Sequence, residues 1–445
     1  MVYSGEEHTV SATEATTTAT PVLQFTSGFN QITRRVRRGS DGWVSPRQQP
    51  KTDEHRLNPH SVGSSPTGGT PRSTGLRSTV TVDDVGGAVR IGTVHRLLVL
   101  LSSLALLVGG PLAAAPSAGA VVPAPSAGYG FSQGAAQLFL GADELDRELD
   151  AVSRTDAQWL RVMVDWSTVE RTEGVFDWTV PDRVIGAARG HDLQVLSIVL
   201  TAPTWARQGG ALGATYAPPA DPATLGRFMQ AFVARYPDVT HHEIWNEPNL
   251  PIFWGQWPDP ARYTALLKAA YSAIKAVQPA STVVAAGLSP QAGAVDFVTR
   301  MYEAGAKGYF DAAAMHPYVF PSGLAATPNG WTETEQIRSV MVANGDGAKQ
   351  IWLTEMGAPT TPESAATGGS SGSGGFGATD MVSQEQQAAQ IVDVLGAAAA
   401  SGYCGPAFVY SVRDWGTSPS NREDNFGALL TNDWQPKIAA SVLAR

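Results

Sequence analysis

Cysteine is all but missing: among 445 residues only Cys404 carries a thiol. One cysteine forms no internal disulfide and no Cys-rich metal site, so stability has to come from a buried core. With no base beside it in the sequence, Cys404 reads as a small buried hydrophobe just ahead of a strand rather than as a nucleophile. Positive charge is also scarce, with 31 Lys and Arg against 40 Asp and Glu and a net charge of -9. Nucleic acid is therefore not an expected partner, because phosphate binding needs clustered cations. Ligand spacings such as His-x-x-x-His or an Asp-rich run do not stand out, and neither a metal nor any other cofactor is expected. Long apolar runs are lacking too. The longest, from Leu97 to Val108, is too short for a membrane span, and no stable span is expected.

What is present changes along the chain. Residues 1–90 are rich in Ser, Thr, Gly, Pro and Arg and include the basic cluster Arg34-Arg35-Val36-Arg37-Arg38. Such composition buries too little apolar surface to offset chain entropy, so this stretch is expected to be disordered or a mis-annotated extension. Residues 91–120 then read as a secretory signal: His95 and Arg96, a short apolar run, and the small residues Ala113-Ala114-Ala115 and Ser117-Ala118-Gly119-Ala120. The expected product is secreted or held at the cell surface, with a translation start near Val89 or Val94. A Pro/Ala linker occupies residues 121–127, and the folded domain is expected over residues 128–445.

Within that domain, short apolar runs alternate with amphipathic segments. Strands are expected at Tyr129–Ser132, Trp159–Val164, Gln194–Leu200, His242–Trp245, Thr282–Ala286, Phe310–Met315, Gln350–Thr354 and Ala407–Ser411. Helical patterns fall between them. Asp221-Pro222 and Pro260 open two of these, and Asp143–Ser153, Val295–Ala304, Glu333–Val342, Ser383–Ala400 and Pro436–Leu443 are others. Eight strand–helix units imply an α/β fold, a (β/α)8 TIM barrel forming a single catalytic domain. An open doubly wound sheet is the alternative, and the lack of a glycine fingerprint after the first strand weakens its dinucleotide-binding form. In a barrel, chemistry belongs at the C-terminal ends of the strands.

Two carboxylates stand at such ends. Strand four closes in Trp245-Asn246-Glu247-Pro248-Asn249, and strand seven in Thr354-Glu355-Met356-Gly357. Cleaving a glycosidic bond needs such a pair: one group donates a proton to the leaving oxygen, and the other attacks the anomeric carbon or activates water. The two motifs, three βα units apart, resemble glycoside hydrolase clan A, especially families five and thirty-nine, over essentially all of residues 128–445. The resemblance implies Glu247 as acid/base and Glu355 as nucleophile. It also implies that Arg161 on strand two bonds the nucleophile, that Tyr318 orients it, and that His316 contacts substrate. Asn246 would bond the sugar 2-OH, while Trp205 and Trp415 would offer aromatic surface to the sugar. Read from the residues alone, Arg161 inside an apolar run needs a buried acid of some kind, catalytic or structural. By the same standard His316 is equally well a packed histidine. One departure from the clan is His242, where aromatic or apolar residues are common.

A secreted, metal-independent retaining hydrolase of β-O-glycosides, monomeric and acting on a carbohydrate, is the function these features imply. Two alternatives use the same cleft: a non-catalytic carbohydrate-binding barrel, and a transglycosylase that excludes water. No second β-rich module is expected after strand eight. Soluble oligosaccharides or a cell-surface glycan are therefore expected as substrates rather than crystalline polymer. The loop PTTPESAATGGSSGSGGFGATD, residues 359–380, reads either as a lid beside Glu355 or as a tolerated surface insertion.

Overall fold

The computed structural model of the chain describes residues 122–255, 257–362 and 380–445. The N-terminal extension, the signal segment and residues 363–379 of the Gly/Ser-rich loop lie outside the described residues. Eight parallel strands run in the order expected of a barrel. They are β1 Tyr129–Ser132, β2 Trp159–Asp165, β3 Gln194–Leu200, β4 His241–Asn246, β5 Thr282–Gly287, β6 Ala313–Met315, β7 Ile351–Met356 and β8 Cys404–Tyr410. Each pairs with its sequence neighbour, and β1 pairs with β8. The ring closes between β5 and β6 through a bridge of Val284 with Ala312. There Ala285 N donates to Ala312 O and Asp311 N to Val283 O, while the Asp311 carboxylate accepts from Val283 N at 2.8 Å.

Helices wrap the outside, and their starts follow local chemistry. Asp221 accepts from Ala223 N ahead of the Pro222–Arg235 helix, and Asp259 accepts from Arg262 N ahead of Pro260–Val277. In both, proline holds the first helical position, where its missing N–H costs nothing. Ser383 and Gln386 form a reciprocal cap on the Gln384–Ser401 helix. The Thr179–Gly190 helix was not expected from sequence. Its β-branched start and its glycines, Gly186 and Gly190, are poor helix formers, and packing of Val184, Ile185 and Ala188 decides instead.

Two cores result. One fills the space between sheet and helices; the other plugs the lower barrel with Trp159, Leu196, Val284, Ala312, Ala314, Trp352 and Phe408. Trp159 meets Trp352 edge to face at 5.6 Å. Each such buried aromatic removes about 150–250 Å² from water, worth up to about 4–6 kcal/mol. Glycine makes the room: a β-carbon on Gly405 would lie 2.4 Å from the Trp352 ring. This packing blocks the barrel's lower end, so chemistry is confined to the other. Cys404, the first residue of β8, is buried in the outer core.

Candidate active site

Glu247 and Glu355 converge at the C-terminal mouth, with a ligand-type oxygen of each within 4.8 Å of the other. The end of β4 is forced into position. Trp245 and Glu247 both hold positive φ, +74° and +38°, a strain of about 1–3 kcal/mol apiece that only over-determined surroundings sustain. Those surroundings are visible: Trp245 is fully buried and donates to Phe253 O, Glu247 N donates to Gly287 O, and the Asn249 side-chain amide donates to Ser289 O and accepts from Ser289 N.

Arg161 organises the floor. Its Nη1 donates to Glu355 Oε1 at 2.6 Å and to Ser132 Oγ at 3.2 Å; its Nε and Nη2 donate to Glu243, and Nη2 also to Asn246 Oδ1. Arg161 thus bonds Glu355, the expected nucleophile, and also a second, wholly buried acid, Glu243. Burial works against the Arg161 cation, but the charges of Glu243 and Glu355 outweigh it and raise its pKa. Asn246 spends its oxygen on Arg161 and keeps its amide N–H groups as donors. Tyr318 Oη donates to Glu355 Oε2 at 2.9 Å. Burial pushes the Glu355 carboxyl up, and His316, Arg161 and Tyr318 together reverse this and hold it below the usual carboxylate range. The Tyr318 phenol is driven well up by burial and by Glu355, so it stays a neutral donor.

His316 is fully buried. Its Nδ1 lies 2.8 Å from Glu247 Oε1 and 3.6 Å from Glu355 Oε2, and its Nε2 lies 3.2 Å from Thr354 Oγ1. It thus touches both carboxylates rather than standing open to the cleft. Burial works to lower its pKa, and the Glu355 charge and the Glu247 bond overcome this and raise it. A glycine admits the ring: a β-carbon on Gly287 would stand 2.2 Å from His316 Nε2 and 2.4 Å from Thr354 Oγ1. Glu247, His316 and Glu355 could between them offer three ligand atoms to a cation. Both Glu355 oxygens, both His316 nitrogens and Glu247 Oε1 are already engaged by Arg161, Tyr318, Thr354 and each other.

The aromatic residues divide. Trp415 lies five residues past β8 and is 40% exposed. Trp205 is partly buried, donates to Glu170 O and packs edge-on against Trp166. Neither bonds to the carboxylates; besides Tyr318, the buried ring whose phenol feels both of their charges is Tyr410, at the end of β8. Its phenol is raised by burial and by the charges of Glu423, Glu355 and Glu247. Sequence reasoning missed Tyr410, hidden as the last residue of an apolar run. It also missed Glu423, which follows β8 and bonds Arg422 at 3.3 Å. The side chain of Glu423 is half open to solvent. Lost hydration, then the negative charges of Glu355 and Glu247, raise it despite Arg422. His242 proves remote from this chemistry. It is buried on the helix side, bonded to Ser197 and Gln278 and edge-on to Phe232, and desolvation lowers its pKa to about 4.

Compared with known proteins, the chain matches no protein-family model and no curated protein. Solved structures share its fold. A family 39 glycoside hydrolase from the gut symbiont Bacteroides cellulosilyticus WH2 aligns with a TM-score of 0.54 and 20% identity, covering 72% of this chain and 64% of its own. The GH39 enzyme of Xanthomonas axonopodis pv. citri gives 0.52 and 17%, covering 72% and 67%. A monomeric β-xylosidase from Caulobacter crescentus CB15 gives 0.51 and 16%, covering 72% and 68%. The match thus spans less than two thirds of the Bacteroides chain. At these identities the likeness is one of fold: this is the barrel on which family 39 glycoside hydrolases are built. No helix among the described residues is long and apolar enough to cross a membrane.

Proposed function

We propose that the protein is a secreted retaining glycoside hydrolase acting on β-O-glycosides. The observation that carries this reading is the pair Glu247 and Glu355, with an oxygen of each within 4.8 Å, in two unlike settings. A retaining pair stands about 5–5.5 Å apart, close enough for direct attack on the sugar, whereas an inverting pair leaves room for a water. Glu355, held as a carboxylate by Arg161 and Tyr318, attacks the anomeric carbon. Glu247 gives its proton to the departing oxygen, then takes one from the water that releases the sugar from Glu355. Asn246 offers its amide N–H to a sugar hydroxyl. Carbohydrate is the substrate, in soluble or cell-surface form, and the protein acts as a monomer. Secretion rests on the signal-like residues 91–120; recovery of the protein from the medium with a mature N-terminus near residue 121 would support it.

The test is a panel of chromogenic β-glycosides and polysaccharides. Glu355→Gln should abolish turnover while the fold persists. Glu247→Ala should cripple poor leaving groups more than activated aryl glycosides, with partial rescue by azide. NMR of the first product should show β from β; an α product overturns the retaining assignment. Sugar transfer to an added acceptor with little hydrolysis would mark a transglycosylase, and binding without turnover a lectin-like barrel.

A further inference from the structure

Beneath Glu247 runs a chain of contacts with a countable number of protons. Glu243 is surrounded by donors: Arg161 Nε at 2.6 Å, Arg161 Nη2 at 3.2 Å, Gly287 N at 2.9 Å and Thr354 Oγ1 at 3.0 Å. Thr354 owns one hydroxyl proton and faces two groups, Glu243 Oε1 and His316 Nε2, the latter at 3.2 Å. An acid that accepts from arginine and a backbone amide is an acceptor toward threonine as well. The hydroxyl proton therefore belongs to Glu243, and the threonine oxygen accepts from His316 Nε2–H. Nε2 being spoken for, the 2.8 Å contact between His316 Nδ1 and Glu247 Oε1 must hold a second proton.

We propose that Thr354 and Glu243 are positioning residues for the acid/base, which act by fixing the His316 proton at Nε2 and so make the ring an imidazolium whenever Glu247 is a carboxylate. This rests on the reading of Glu247 as acid/base. When Glu247 hands its proton to the leaving oxygen, its new negative charge appears beside that cation. When it takes a proton from water the charge is discharged, so the cycle consumes no proton and His316 keeps its own. Glu247 and His316 thus form one unit joined by the proton between them. The charged and titratable groups facing that unit are Glu355, Glu243, Glu423, Arg161, Tyr318 and Tyr410.

Thr354→Val keeps the shape and removes the hydroxyl, which frees the ring to carry its one proton at Nδ1 and be neutral. Carboxyls facing a neutral ring instead of a cation keep their protons more readily. Both limbs of the kcat/KM–pH profile should then move up by about one pH unit, and Thr354→Ser should restore them. Limbs that do not move in a folded Thr354→Val, or that serine does not restore, overturn the proposal. A second measurement needs no substrate. Two-bond 1H–15N correlation on the full chain labelled at histidine, with His316 assigned through His316→Asn, should show Nε2 protonated across the titration in the wild type and not in Thr354→Val. A bare Nε2 at neutral pH in the wild type overturns the proposal even if the enzyme is active. A protonated Nε2 in a protein with no glycosidase activity leaves the proton network standing and removes the functional reading.

Discussion

At the scale of single residues, the site is an exercise in holding one carboxylate charged. Glu355 sits below the usual carboxylate range because His316, Arg161 and Tyr318 overcome its burial. Activity that needs it ionised should persist to unusually acid pH. Tyr318→Phe withdraws one donor, and the acid limb of kcat/KM against pH should rise by roughly half a unit to one unit. The sign for stability follows from the same shift. A depressed carboxyl contributes stability above its unfolded value, and that contribution is lost as pH falls through the folded one. Glu247 and Glu355 were legible because each follows a motif at a strand end. Glu243 was not, because Thr240, His241 and His242 ahead of it make its strand start polar, whereas Arg161 stands inside an apolar run. The acid that Arg161 needed was therefore hidden among other polar residues.

At the scale of elements, one buried cluster ties three segments near the cleft. Lys437 Nζ, just ahead of the Ile438–Val442 helix, donates to Asp414 beside Trp415 and to Thr360 beyond β7. Thr360 in turn bridges Val382 across the base of the Gly/Ser-rich loop. Both charges are buried. Burial raises Asp414 to about 6 against the pull of Lys437, and burial lowers Lys437. Removing one partner strands the other: Lys437→Met should cost about 3–5 kcal/mol, measured by urea unfolding, and Asp414→Asn added to it should recover most of that loss. Strand and helix positions were readable from periodicity and caps, but their ends were less so. β8 starts at Cys404 rather than Ala407, and β6 is only Ala313–Met315. The expected Phe310 instead packs into the outer core, and Asp311 turns its carboxylate to the ladder. Such trades between side chain and backbone leave no periodic trace.

At the scale of the molecule, β1 begins the ring at Tyr129 and nothing before it enters the barrel's pairing among the described residues. Deleting residues 1–120 should leave melting temperature and turnover unchanged; a clear drop in a thermal scan would count against residues 128–445 as the folded unit. The ring itself is uneven. β2 and β3 pair along seven residues, whereas β5 meets the β6 segment through the Val284–Ala312 bridge, with a carboxylate filling in. That junction is a seam. In hydrogen exchange the amides of Ala285 and Asp311 should open before those in the middle of β2 and β3. The His316–Glu247 bond crosses the same seam, since His316 follows β6 and Glu247 is anchored to β5 through Gly287 O. The His316–Glu247 contact is therefore also a clasp across that seam. Opening of the seam would part His316 from Glu247, so a tight-binding ligand that steadies Glu247 should slow exchange across it.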